Sequence, residues 1–355
     1  MSSTATQPRG AASSAALTET VYTICPVLVA SNVAVELGWL DEEFARVGAR
    51  AIYLRSLPSS GSWQWHYDHN TTNLIRDGGN SPAVWARADI RQTTLVGLTQ
   101  AQPAGKIIVR ADSDIYRVAD LEGRRFGLYR SLNADKIDHR RATSEHGLEK
   151  TLALHGLTRG AVQIVDIDDD DDHAGAPAAK PAELWARSRR DEWTHEARAL
   201  REGRIDAFFD YSVGGARRLE KTGEFKVIED LDRHPDWTLR IANSPRTIAV
   251  STEFAQKHPE VVVAFLRAAI RAGRWINAHP AAAAEIFRRV TIYPSTCAIA
   301  RALPHFDLVP NLSAQNLAGL SIEKDFLLSH GYIKNDFDVK QWADRRFLDE
   351  ALKGL

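Results

Sequence analysis

The apolar positions of this chain fall into two rhythms: short β-branched runs, and longer stretches with apolar residues three and four apart. TVYTICPVLVA (20–30) is a β-branched run ending in small residues and predicts a first strand and the turn after it. SNVAVELGWLDEEFARVG (31–48) has helical spacing and stops at Gly48, where a C-cap glycine belongs. ARAIYLRSL (49–57) predicts a second strand, and a turn-rich loop follows from Pro58 to about Asp68. A helix begins near Ser81, with Pro82 at its first position, and leads into the strand TTLVGLT (93–99). This alternation predicts a parallel sheet with helices packed on both faces.

The segment 105–133 reads as a strand, a linker, a short helix and another strand, and marks entry into a second lobe. A helix with a glycine stop and a strand follow in 145–167. A helix closed by Gly203 and the strand IDAFF fill 194–212, and FKVIEDL (225–231) is the next short strand. The stretch 246–287 predicts a strand and two helices, capped at Ser251 and Thr252 and restarted at Pro280, and the tail from about Asn311 is helical. A chain of 355 residues is too long for one ordinary core. The expected division is a flexible tail at 1–17, lobe one from 18–108 plus 235–355, and lobe two, a lid, from 109–234.

Composition narrows the function classes. Hydrophobic residues make up 44% and charged residues 26%, so a sizeable core can form. Lys+Arg 45 against Asp+Glu 46 leaves no basic excess for nucleic acid or a membrane surface, so any anion must be met by local charges. The polar N-terminus has no cationic start followed by an apolar run, and no stretch reaches the ~20 apolar residues that span a bilayer. Two cysteines are too few for a disulfide framework. The expectation is a cytoplasmic monomer acting on a small molecule. The run DIDDDDDHAG (166–175) lacks the glycine and glutamate of a calcium loop and reads as an exposed acidic loop. His66-x-x-His69 has no third ligand in a recognisable spacing, so no metal site is expected. Dinucleotide, phosphate-loop and serine-hydrolase signatures are absent, and no organic cofactor is called for.

The order DLEGRRFG, then LALHGL before an acidic strand, then ALREGRIDAFF, then the long run ending HPAAAAEIF resembles the sulfonate-, nitrate- and thiamine-precursor-binding proteins. That resemblance implies an α/β, two-lobed periplasmic-binding-protein-like (type II) fold with an interlobe cleft at the carboxyl ends of the strands. Three segments carry a narrower likeness: TICPVLVA around Cys25, HYDHNTTNLIRDGG (66–79) and QWADRRFL (341–348). They are similar to the aryl sulfinate desulfinases of dibenzothiophene desulfurisation. The shared pattern is Cys-Pro after the first strand, then a His, nine residues, an Arg, one residue and Gly-Gly. Here it falls on Cys25-Pro26, His66, Arg76 and Gly78-Gly79. The resemblance implies that Cys25 is the reactive residue, with His66 as its partner. Arg76 and the Gly79 amide would hold the sulfinate oxygens, and Gly78, Thr23 and Trp65 would complete the substrate site.

The residue types suit that chemistry. A thiol can protonate the ring carbon of an aryl sulfinate or, as thiolate, attack sulfur, and a neighbouring histidine can exchange the proton. An arginine fork matches two anionic oxygens, and a glycine backbone can approach closely enough to donate its N–H. Trp63, Trp65 and Trp85 cluster nearby and could form an aromatic wall. Taken singly, Cys25 also reads as a small buried hydrophobe, His66 as a loop histidine, Arg76 beside Asp77 as an ion pair, and the tryptophans as core. Cys297 reads as packing. The function expected is a cofactor-free desulfinase that releases sulfite from an aromatic sulfinate. The alternative is a solute-binding protein that delivers a sulfonate or heterocycle to a transporter.

Overall fold

A computed structural model describes residues 17–58, 63–169, 177–188, 193–242 and 244–355. All of the expected tail except Leu17, positions 59–62 of the turn-rich loop and 170–175 of the acidic run lie outside the described residues. Strands β1 (Thr18–Ile24), β2 (Ala49–Tyr53), β3 (Leu74–Gly78) and β4 (Thr93–Gln100) come first. β5 (Lys106–Arg110), β6 (Arg125–Ser131), β7 (Gln163–Asp169), β8 (Ala207–Asp210) and β9 (Phe225–Asp230) follow, and β10 (Arg246–Ser251) and β11 (Asp307–Asn311) end the series. They form two sheets, ordered β11-β4-β10-β3-β1-β2 and β7-β6-β8-β5-β9.

The sheets are mixed, which corrects the expected parallel sheet. β1 runs parallel to β2 and β3, and β6 parallel to β7 and β8, because helical crossovers join strands within each lobe. The chain crosses between lobes after β4 and after β9. β5 and β10, the strands that receive those crossings, pair antiparallel with both of their neighbours. The hydrophobic pattern carries no information about that direction.

Local chemistry explains where elements start and stop. The expected helix at 31–48 is two helices, Ala30–Glu36 and Trp39–Arg46, because Gly38 sits at φ +75° and turns the chain between them. The stretch after β10 likewise holds three helices rather than two, Thr252–Lys257, Pro259–Ala278 and Pro280–Val290, with Pro259 and Pro280 each opening a new helix. Cys297 is exposed on the helix Thr296–Ala302, so the reading of it as packing is wrong. Helix Pro259–Ala278 buries Val261, Val262, Phe265 and Leu266 in the core of the first sheet. Each such side chain contributes roughly 1.5–3 kcal/mol on leaving water. Separate apolar clusters on the two faces of the second sheet centre on Phe126 with Leu128 and on Phe208 with Ile205. The lobes also meet through polar bonds: His146 Nδ1 lies 2.6 Å from Glu323 Oε2 in a buried contact, and the half-buried Tyr332 hydroxyl donates to Glu145 at 2.7 Å.

Candidate active site

Cys25 is the first residue past β1, and its amide donates to the Asp77 carbonyl at 2.9 Å, which keeps it against the end of β3. Asn32 Nδ2 donates to the Cys25 carbonyl at 3.1 Å and to that of Val27 at 3.0 Å, fixing the turn into the first helix. Register then decides which side chains meet. Thr23 pairs with Arg76 across β1 and β3, so both point to one face of the sheet, and Cys25, two residues on from Thr23, returns to that face.

His66 completes the group from the short helix Trp65–Asp68. Its Nε2 lies 3.2 Å from Cys25 Sγ and its Nδ1 2.7 Å from Thr23 Oγ1. Arg76 donates from Nε to the His66 carbonyl, from Nη1 to the Gly79 carbonyl, both at 2.7 Å, and from Nη2 to Cys25 Sγ at 3.6 Å. Thr23, His66 and Arg76 are buried, whereas Cys25 keeps partial exposure. Burial, and after it the field of Arg76, holds the His66 imidazole well below the usual histidine range, so the ring is neutral near pH 7. A neutral imidazole bonded on both nitrogens, beside a thiol that also faces a guanidinium, can take and return the thiol proton.

Other expected residues take different places. A Cβ at Gly78 would stand 2.2 Å from Cys25 Sγ, so this glycine supplies the room in which the thiol sits. Gly79 gives its carbonyl to Arg76 and precedes the helix Asn80–Trp85. Trp63 stacks on His66, with ring centroids 4.4 Å apart and planes 9° from parallel, and the Arg55 guanidinium covers Trp63 at 3.7 Å. Trp63 and Trp65 both pack against Val21, Leu54 and Leu74, whereas Trp85 packs against the main core, so Trp85 stands apart from the other two. Tyr67 meets His66 edge-on at 5.1 Å, and across the cleft the Lys136 ammonium lies 4.6 Å from the Tyr67 ring. Among the described residues no three His, Cys, Asp or Glu side chains converge as a metal-ligand set.

Sequence reasoning missed two things here. β3, the central strand that carries Arg76 and Gly78, has no counterpart among the predicted elements, because LIRDG shows charge where a buried strand should show only apolar residues. Asp77 was noted only as a possible partner of Arg76. It is fully buried, accepts from Ser31 Oγ at 2.5 Å, and burial pushes its carboxyl up to about 6.

No known protein-family model matches the chain. It is 28% identical over 356 residues, 93% of each protein, to 2'-hydroxybiphenyl-2-sulfinate desulfinase from Rhodococcus erythropolis. Among solved structures, a Cys-to-Ser mutant of DSZB in complex with biphenyl-2-sulfinic acid superposes with a TM-score of 0.74 at 24% identity, covering 94% of this chain and 99% of that one. The periplasmic sulfonate-binding protein SsuA from Methylobacillus flagellatus KT superposes with a TM-score of 0.70 at 17% identity, covering 95% and 94%. The chain therefore has the two-lobed α/β fold of the periplasmic binding proteins and is similar, over nearly its whole length, to 2'-hydroxybiphenyl-2-sulfinate desulfinase.

Proposed function

We propose that this protein is a cofactor-free desulfinase that hydrolyses the carbon–sulfur bond of an aromatic sulfinate and releases sulfite. One observation carries the proposal: a single partly exposed thiol, Cys25, touches both a buried neutral imidazole and a buried guanidinium. The likeness to a desulfinase over the full chain supports it. Arg76 and the Gly79 N–H receive the sulfinate oxygens, with Trp63 and Trp65 on the side from which the rings enter. The thiol proton passes to the ring carbon that bears sulfur. The C–S bond then breaks, its electron pair returns to the ring, and sulfur dioxide leaves. Water adds to sulfur dioxide to give bisulfite, and the proton set free returns to the Cys25 thiolate through His66. The sum is aryl sulfinate plus water giving arene plus bisulfite.

In this reading residues 18–108 and 235–355 carry the reactive groups, and residues 109–234 close over the ligand and exclude water. A cytoplasmic setting keeps the free thiol reduced. A carrier for a transporter needs a charged cleft but no thiol–imidazole pair, so that pair favours the enzyme. The test is incubation with a panel of aryl sulfinates, biphenyl-2-sulfinate among them, followed by assay for sulfite and arene. Equimolar release of both is the expected result. Tight binding with no sulfite would refute the desulfinase and favour the carrier.

A further inference from the structure

Arg246 opens β10, the strand between β3 and β4. Thr247 pairs with Gly78 and Arg246 with Thr99, so the Arg246 backbone stands at the same sheet end as Gly79 and Cys25. Ala249 pairs with Arg76 and shares its face, which puts Arg246, three residues away, on the opposite face. Two arginines thus stand at one end of the sheet, their side chains leaving it on opposite faces. Arg246 is 3% exposed, its Nη2 donates to Gln102 Oε1, and its Nε has no hydrogen-bond partner. Gln102 lies on the crossing between β4 and β5, and its Nε2 donates to the Tyr211 carbonyl, one residue past β8 of the other sheet, at 3.0 Å.

The electrostatics of this corner are lopsided. Among the described residues no carboxylate lies within the 4.0 Å ion-pair distance of Arg76 or Arg246. The charge of Arg246 is felt at both Arg76 and Asp77, but Asp77, bound to Ser31, brings one negative charge against two positive ones. Two buried guanidinium groups without a carboxylate partner are costly, and an anion entering the cleft relieves both. Arg76 already spends three donors on His66, Gly79 and Cys25. Arg246 holds a buried, positively charged donor, Nε, that is still unused.

We infer that Arg246 is a second arginine for the sulfinate group, and that through Gln102 and Tyr211 it links the bound anion to the second lobe. The inference rests on the reading of the cleft as a sulfinate site and adds the residue that completes its charge balance. It also explains how a nearly neutral protein selects an anion: the selectivity comes from one corner where two buried cations share a single nearby carboxyl, that of Asp77.

The test is equilibrium binding of biphenyl-2-sulfinate to the Cys25→Ser protein, which holds ligand without consuming it, with neutral biphenyl as control. Arg246→Gln in that background should weaken sulfinate binding by about tenfold to a hundredfold, the worth of one charge-assisted hydrogen bond, and leave biphenyl binding nearly unchanged. Arg246→Lys should fall between. If Arg246→Gln does not fold, Gln102→Met, which keeps the charge but removes its anchor, should still weaken sulfinate binding severalfold. Unchanged sulfinate affinity in the folded variant, or equal losses for sulfinate and biphenyl, would overturn the inference. Sulfite release by the native protein is read separately. Binding that depends on Arg246 without sulfite release removes the desulfinase and keeps this site, whereas sulfite release with binding indifferent to Arg246 removes this site alone.

Discussion

Replacing Gly78 by alanine should disable the site by steric means alone. Gly78 is not in the left-handed region, so the new residue meets no backbone strain. Its Cβ would stand 2.2 Å from Cys25 Sγ and 2.9 Å from Cys25 Cβ, where ordinary contact begins at 3.4 Å. The thiol must therefore move by more than an ångström. Its backbone cannot follow freely, because the Cys25 amide is held by Asp77 and its carbonyl by Asn32. The sulfur rotates instead, and the 3.2 Å contact with His66 Nε2 is lost. Overpacking of this kind costs about 1–3 kcal/mol of stability. Displacement of a reacting atom by about 1 Å lowers turnover by roughly a hundredfold. Affinity, which rests on the arginines, should change little. The assay is steady-state sulfite release, kcat and KM separately, beside a thermal melt. A folded Gly78→Ala protein with near-native kcat would refute the claim that this glycine sets the position of the thiol.

Three further changes probe the neighbours. Arg76→Lys keeps a charge but forfeits the fork that spans the His66 and Gly79 carbonyls, so sulfinate affinity should fall at least about tenfold and the melting temperature should drop. His66→Gln should lower turnover by about a hundredfold to ten-thousandfold with a smaller effect on affinity. In the native protein the acid limb of the rate profile should fall below pH 6.5, since burial depresses His66. The same group makes stability decline as pH falls from 6.5 through the lower folded value, because the unfolded chain then binds the extra proton. Asp77 has the opposite sign. Its contribution is present below 3.8 and lost as pH rises through about 6, so Asp77→Asn should raise the melting temperature more at pH 8 than at pH 5.

Most of the fold was legible because most strands and helices follow the simple rule that one face is apolar. β1, β4, β5 and β10 are β-branched runs with few charges, and the helix Pro259–Ala278 announces itself by spacing and by proline at its start. β3 broke the rule because it is the strand on which the site is built. A central, fully buried strand that carries Arg76, Asp77 and Gly78 looks like a turn unless the groups that satisfy those charges are known. Cys25, His66 and Arg76 were recognisable by family likeness, but the reason for Gly78 appears only when the thiol stands over it. The bond from Thr23 to His66 was not legible, since strand alternation gives the side of the sheet that Thr23 faces but not which ring descends onto it. Arg246 was read only as the start of a strand. Nothing in the sequence near it shows that the chain returns antiparallel beside Gly78, which is what brings the Arg246 backbone next to the end of β3.

The central claim is that the Cys25 thiol carries the chemistry, and Cys25→Ser tests it most directly. Serine preserves the size of the side chain and a hydrogen-bonding atom for His66 Nε2, but a hydroxyl is a far weaker acid and a poorer nucleophile. Sulfite release from biphenyl-2-sulfinate should be measured for the native and Cys25→Ser proteins, with binding of the same sulfinate followed in parallel. The account predicts a folded variant that binds the sulfinate and releases almost no sulfite, and a native protein that thiol alkylation inactivates more slowly when substrate fills the cleft. A Cys25→Ser protein that releases sulfite at a near-native rate would contradict it.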